Sequence, residues 1–211
     1  MNLLPRHCYV TGTDTGIGKT HVSAWMLRNA VMEGRRAIGM KPVASGCTWR
    51  DGEWRSEDAE ALIAASNVAA PYADINPYAL ELPLAPELAA RDAGVTIDPI
   101  NIIAAHFRLA QLADSVVVEG VGGWLAPLMP LFEQSELVRS LNLPVVMVVG
   151  LRLGCVHQAR ATARAILADG CELVGWIGNS IDPAMSHRDD NIAILDRVLP
   201  VPRLAVLEHG A

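Results

Sequence analysis

Apolar residues in this chain come in short continuous runs, separated by longer stretches with helical spacing. Cys8-Tyr9-Val10 is such a run. It ends at Gly12 and predicts a buried strand. Thr20 to Glu33 predicts a helix with Val22, Met26, Leu27 and Ala30 on one face. Ala37-Ile38-Gly39-Met40 predicts a second strand and Asp58 to Ser66 a second helix. Ile100 to Ala113 predicts a third helix, with Ile103, Phe107 and Ala110 spaced for one face. Ser115 to Val118 predicts a strand stopped by Glu119-Gly120, and Val145 to Val149 is the most apolar strand of all. A helix rich in Ala and Arg follows over Val156 to Ala168, then a strand over Leu173 to Ile177. A helix over Asp189 to Val198 precedes a short last strand at Leu204-Ala205-Val206.

Strands alternating with helices predict right-handed βαβ units, hence an α/β fold with a parallel sheet. No internal repeat, low-complexity segment or linker interrupts the pattern, so residues 1–211 read as one domain. The segment Ala44 to Arg55 is polar, lacks periodicity and directly follows a strand. In open α/β sheets that is where ligands bind.

Composition sharpens this picture. Apolar residues are 51% of the chain and charged residues 19%, as expected when a parallel sheet is covered on both faces. The formal charge is -6, from 17 basic and 23 acidic residues, which argues against nucleic acid or a membrane surface as partner. A phosphate site must therefore be local and built by geometry. Cys8, Cys47, Cys155 and Cys171 form no C-x-x-C pair, and Cys8 and Cys171 sit in apolar strand-like runs. All four are expected to be reduced thiols of a cytoplasmic protein. Met1 to His7 carries no signal-peptide pattern. The longest apolar stretch, Leu143 to Leu151, is too short for a bilayer and contains a Pro.

The strongest chemical signal is Val10-Thr11-Gly12-Thr13-Asp14-Thr15-Gly16-Ile17-Gly18-Lys19-Thr20, a strand running into a Gly-rich loop that opens a helix. Such a loop turns backbone N–H groups inward around phosphates, and the helix N-terminus adds positive potential. Lys19 then reaches the β/γ-phosphates and the Thr20 hydroxyl reaches Mg²⁺. The first glycine is Gly12, one residue earlier than the standard spacing, which would require it at Thr13. The plain alternative is a capping loop with an incidental lysine. The second signal is Ser115 to Gly123, an apolar strand ending in Glu119 and then a glycine turn. An acid there holds magnesium in P-loop proteins, although a solvent-facing acid would give the same pattern. Lys41, at a strand end before Pro42, points toward the same edge. Taken alone it reads as an ordinary surface lysine, and Asp58 as an early-helix acid favoured by the helix dipole.

Several stretches together resemble the dethiobiotin synthetase family, in its order and spacing. They are T-G-T-D-T-x-x-G-K-T, K-P-V-A-S-G from Lys41, E-D-A around Asp58, N-P-Y-A from Asn76, V-E-G-x-G-G-W from Val118 and V-G-L-R-L-G-C from Val149. The resemblance implies a P-loop NTPase-like sheet with helices on both faces. It also implies a homodimer that converts 7,8-diaminononanoate, CO₂ and ATP to dethiobiotin with Mg²⁺. Carried over, Lys19 and Lys41 are the catalytic cations, and Thr20, Asp58 and Glu119 bind Mg²⁺. Gly16, Ile17, Gly18 and His21, then Gly120, Val121 and Gly122, surround the nucleotide. Asn179 reads the adenine edge, with Ser180 and the turn Glu208, His209 and Gly210 beside it. Thr15, Ser45, Gly122, Gly123, Leu151, Gly154 and His157 line the substrate, with Leu151 to Gly154 near its tail at the dimer interface.

The sequence departs from the family at four places. Gly16 stands where some members have Glu, His157 where an Asn is frequent, and Asn191 where some have a Tyr. The Pro-aromatic-Leu turn near the base is replaced by Glu208 to Gly210. The competing reading is a nucleotide-gated switch of the partitioning-ATPase type. Such proteins carry a signature Lys early in the loop, where this chain has Asp14. A glutaminase-coupled synthetase would need a further domain.

Overall fold

The computed structural model describes residues 4–130 and 132–210. Met1 to Leu3 of the N-terminal stretch, and Ala211, lie outside the described residues. In chain order the first half holds β1 (His7–Gly12), α1 (Lys19–Met32), β2 (Ala37–Met40), β3 (Val43–Ser45), β4 (Thr48–Arg50), β5 (Glu53–Arg55), α2 (Glu57–Ala65), α3 (Tyr72–Ile75), β6 (Tyr78–Leu80) and α4 (Pro86–Asp92). The second half holds α5 (Pro99–Leu112), β7 (Ser115–Glu119), β8 (Pro127–Met129), β9 (Phe132–Glu133), α6 (Gln134–Leu141), β10 (Val145–Gly150), α7 (Cys155–Ala168), β11 (Leu173–Asn179), α8 (Arg188–Val198) and β12 (Arg203–Leu207).

Six strands form one sheet in the order β12-β11-β10-β1-β7-β2, and every neighbouring pair is parallel. Alternate side chains point to opposite faces of a strand, and both faces here are dry. Cys8, Val10, Val117, Val146 and Val148 pack toward α1 and α2, together with Val22, Leu27 and Leu62. Tyr9, Val116, Val118, Val145, Met147 and Val149 pack toward the other side, with Ile102 and Leu109 of α5, Leu137 of α6, Ala159 and Ala163 of α7 and Leu195 of α8. Strands wetted on neither side need no polar alternation, which is why they appear in the sequence as unbroken apolar runs. Gly39 lets α2 approach the sheet: a Cβ there would lie 2.6 Å from Leu62 Cβ.

Three expectations need correction. The buried stripe of α5 is Ile102, Ala105 and Leu109, and Phe107 is 63% exposed. The helix carries apolar residues on both sides, so spacing alone could not fix its rotation. Its start is set by the Asp98 side chain, which accepts from Ile100 N at 2.9 Å, and its flank by the Arg108–Asp74 ion pair at 2.6 Å. Ala44 to Arg55 is ordered structure: β3 pairs with β6, and β4 and β5 form a hairpin. Trp49 and Trp54 meet edge-to-face across that hairpin, at 5.3 Å between centroids. Cys171 lies in the connection before β11, outside any strand. The four cysteines are free and buried, and burial pushes the Cys8 thiol up to about 12. Among the described residues no helix is long and apolar enough to cross a membrane.

Candidate active site

β1, β2 and β7 deliver their C-terminal ends to one edge of the sheet, and a cavity of about 440 Å³ opens there. Thr15, Gly16, Gly18, Lys19, Thr20, Lys41, Ser45, Asp58, Glu119, Val121 and Gly122 line it, so eleven of the residues singled out from the sequence converge. The loop after β1 explains the displaced glycine. A Cβ on Gly12 would lie 2.7 Å from Ile17 Cδ1 and 3.0 Å from the Lys19 stem. Gly12 is therefore the position where the folded-back loop and its lysine need room. Gly16 and Gly18 both have positive φ, 72° and 77°, and Gly18 caps α1. Ile17 is fully buried and does not line the cavity, so the expected contact of Ile17 with the nucleotide has no exposed surface here.

Lys19 is 7% exposed, and its Nζ donates to Asp14 O at 3.1 Å. Burial, then repulsion from Lys41, lowers its pKa to about 8, against attraction from Glu119, Asp58 and Asp14. Lys41 is 2% exposed and behaves oppositely. Burial disfavours its charge, but Glu119 and Asp58 outweigh burial and raise its pKa. Its Nζ lies 2.6 Å from Glu119 Oε1, 2.8 Å from Asp58 Oδ2 and 3.1 Å from Gly120 O. Burial would raise the Asp58 pKa, yet charge and hydrogen bonding from Lys41 and a bond from Thr20 lower it overall. The reading of Lys41 as a surface lysine and of Glu119 as a solvent-facing acid fails, because both are buried.

The oxygen set suits a small hard cation. Thr20 Oγ1 lies 2.8 Å from both Asp58 Oδ1 and Glu119 Oε1. A hydroxyl has one proton, so one of these is a bare oxygen–oxygen contact that a cation would relieve. Glu119 Oε2 is buried and has no hydrogen-bond partner among the described residues. Among those residues no three His, Cys, Asp or Glu side chains cluster. One or two carboxylates completed by phosphate oxygens and water is the usual way of holding Mg²⁺.

The remaining expected residues fall elsewhere. Asn179 Nδ2 donates to Ile17 O at 2.8 Å, tying the end of β11 to the loop. Ser180 Oγ accepts from Arg188 at 3.3 Å, Arg188 pairs with Glu208, and His209 Nδ1 lies 3.0 Å from Ser180 O. Gly210 has positive φ, 75°, and follows in the same turn. His21 lies beside Gly18 on the first turn of α1. Gly154 and His157 line a separate cavity of about 450 Å³ along α7, and Gly123 a third hollow of about 300 Å³. The Leu151 side chain is fully buried and packs on Gly178, so it offers no surface to a substrate on this chain. Core packing claims it because β10 ends one residue earlier, at Gly150.

Sequence reasoning missed Gln134. This fully buried side chain accepts from Tyr9 Oη at 2.6 Å and Val121 N at 3.2 Å, and donates to Gly123 O at 2.6 Å. It thereby fixes the glycine turn after Glu119. Gly120 must lack a side chain, since a Cβ would lie 2.5 Å from Gln134 Oε1 and 2.6 Å from Tyr9 Oη. Asp14 stands where the switch proteins carry their signature lysine. Its carboxylate accepts from Thr15 N at 2.8 Å, and it meets Arg152 at 2.5 Å and Gln158 at 3.2 Å, joining the loop to α7. The Thr15 backbone bond leads in holding its pKa low.

A family model described as AAA domain matches residues 6–210. The ATP-dependent dethiobiotin synthetase BioD of Xylella fastidiosa (strain Temecula1) is 55% identical over 201 residues, covering 95% of this chain and 89% of that protein. The protein of the same name from Xanthomonas oryzae pv. oryzae (strain PXO99A) is 55% identical over 198 residues, covering 94% and 88%. Among solved structures, the MinC:MinD cell division protein complex of Aquifex aeolicus is similar at a TM-score of 0.56 and 16% identity. That match covers 98% of this chain and 83% of the other, and it bears on the fold alone.

Proposed function

The chain belongs to the dethiobiotin synthetase family, ATP-dependent ligases of biotin biosynthesis, and from that membership we propose the reaction and the residues that perform it. The substrates are 7,8-diaminononanoate, CO₂ and ATP. One amine attacks CO₂ to give a carbamate, ATP phosphorylates the carbamate, and the second amine closes the urea ring and expels phosphate. The observation that carries this reading is the meeting of Lys19, Lys41, Asp58 and Glu119 in one cavity with the Gly16–Gly18 loop.

Phosphoryl transfer is mostly positioning and charge stabilisation. Lys19 and the loop N–H groups would hold the β/γ-phosphates. Thr20, Asp58 and Glu119 would hold Mg²⁺, which when bound neutralises phosphate charge. Lys41 is kept charged by Glu119 and Asp58, so it would offer a fixed ammonium where carbamate and γ-phosphoryl oxygens repel each other most. Ser45 and Thr15, on the cavity wall, would hydrogen-bond the reacting end, and Gly122 and Gly123 would let backbone N–H groups approach. Asn179, Ser180 and the Glu208–Gly210 turn would receive the base. Gly154 and His157 would lie along the substrate's tail, beside Leu153, which is 95% exposed and would be covered in a cytoplasmic homodimer. The whole of residues 1–211 would act as one domain.

The test is phosphate release from ATP, with and without diaminononanoate and bicarbonate. Release that requires both supports the synthetase. Slow release indifferent to both would favour the nucleotide-gated switch.

A further inference from the structure

The N-P-Y stretch from Asn76 stands out in the sequence, yet none of its residues lines the cavity. Its contacts lead back to Lys41. Asn76 is 3% exposed. Its Nδ2 donates to the Lys41 carbonyl at 2.6 Å and approaches Tyr78 O at 3.4 Å. Its Oδ1 accepts from Tyr72 Oη at 3.0 Å. The same Tyr72 oxygen accepts the Ser56 backbone N–H at 2.8 Å. Ser56 is the N-cap of α2, whose first turn carries Asp58, and Asp58 Oδ2 lies 2.8 Å from Lys41 Nζ. The contacts therefore form a closed ring. They leave the Lys41 carbonyl, pass through Asn76, Tyr72, Ser56 and Asp58, and return to the Lys41 ammonium.

We propose that Tyr72 and Asn76 are positioning residues for Lys41, holding the end of β2 against the N-terminus of α2, where Asp58 receives the ammonium. The ring is satisfied at each polar atom, so neither end shifts without breaking a bond. The Tyr72 hydroxyl is its narrowest link, giving and taking one hydrogen bond. Arg55 stacks on the Tyr72 ring at 4.0 Å, and that stacking does not involve the hydroxyl. Lys41 N also donates to Ile75 O at 2.8 Å, so the β2 terminus is held even when the ring opens. Opening the ring would loosen the side-chain geometry without unfolding the strand. A small misplacement of a group acting in the transition state is expensive in rate: about 1 Å costs on the order of 100-fold.

The inference rests on the proposed role of Lys41. Tyr72→Phe keeps the stacked ring and removes only the hydroxyl. It should lower kcat for dethiobiotin formation by roughly 10-fold and leave ATP affinity within about twofold, because Lys19 and the Gly16–Gly18 loop are untouched. Asn76→Asp, which keeps the acceptor and loses the donors to Lys41 O, should show the same profile. The deciding measurement is single-turnover formation of dethiobiotin in a Lys41→Gln background. There, Tyr72→Phe should change the rate by less than about twofold, since residues acting as one unit are strongly non-additive. An equal fold-loss in both backgrounds overturns the proposal, as does an unchanged kcat in the single variants or a loss of ATP affinity that tracks the rate. A wild-type enzyme that forms no dethiobiotin from the three substrates would instead bring down the functional reading, and this inference with it.

Discussion

Replacing Lys19 by methionine probes the phosphate cradle through protons. Burial and the nearby Lys41 lower the Lys19 pKa from 10.5 to about 8. At neutral pH that lowering opposes folding by roughly 3 kcal/mol. The sign follows from proton counting. Between about pH 8 and 10.5 the unfolded chain holds a proton that the native state has released, so this group makes stability rise across that window. Below about pH 8 the full penalty applies. Lys19→Met keeps the stem that packs on Gly12 and removes the charge. Without nucleotide it should therefore be more stable than wild type at pH 7, by roughly 2–3 kcal/mol, and the gap should close above about pH 10. ATP reverses the balance, because phosphates at Lys19 restore its proton. Wild-type ATP affinity should then fall about tenfold per pH unit above about pH 8, with proton uptake on binding. Calorimetry in buffers of different ionisation enthalpy reads both quantities, and the variant should bind weakly with no such slope. Wild-type affinity that is flat from about pH 7.5 to 9.5, with no proton uptake, would refute the lowered Lys19 pKa, and a variant that binds ATP as tightly as wild type at pH 7 would refute the placement of Lys19 on the phosphates.

Other substitutions test the remaining parts. Glu119→Gln should raise the Mg²⁺ concentration needed for half-maximal rate, and superimposable Mg²⁺ titrations would remove Glu119 from the metal. Lys41→Gln should lower kcat by at least ~100-fold while ATP affinity changes little, and Lys41→Arg should not rescue it, because a planar fork cannot replace a compact ammonium. Gly120→Ala forces a Cβ against Gln134 and Tyr9 and should cost about 1–3 kcal/mol of stability, seen as a lower urea midpoint with an unchanged slope. Deleting Glu208 to Ala211 should weaken discrimination between ATP and other triphosphates, and an unaltered preference would show the tail to be irrelevant.

The sheet and the cradle were legible because their signals are local. An unbroken apolar run such as Val145 to Val149 reports burial on both faces, and Gly16 to Thr20 reports a strand-to-helix turn within a few residues. Lys41, Asp58 and Glu119 lie far apart in the chain: strand-end position points Glu119 and Lys41 to the same edge, but Asp58 joins them only through family resemblance. Gln134 left no such trace. It is a polar residue whose partners are Tyr9 and a turn ahead of it, so its meaning exists only after the fold has brought those atoms together. The rotation of α5 failed for a related reason. With apolar residues on two sides, neighbouring elements decide which stripe is buried. Asn76 opens a recognisable motif and Tyr72 lies outside it, and only distances reveal that the two close a ring on Lys41.

The strand order has a consequence for how the chain is made. β1 carries the phosphate loop, and its sheet neighbours are β10 and β7, so Val10 pairs with Val146 on one side and Glu119 on the other. During synthesis this apolar strand emerges first and must wait, with both edges bare, until the second half of the chain has left the ribosome. Non-local parallel pairing is slow to form and leaves sticky edges exposed meanwhile. On the proposed site, ATP would not rescue an early intermediate, because Glu119 would come from β7 and Asn179 from β11. Nascent chains stalled before β10 should therefore depend on holding chaperones, and the capacity to capture nucleotide marks a chain whose central strand has found both of its flanks.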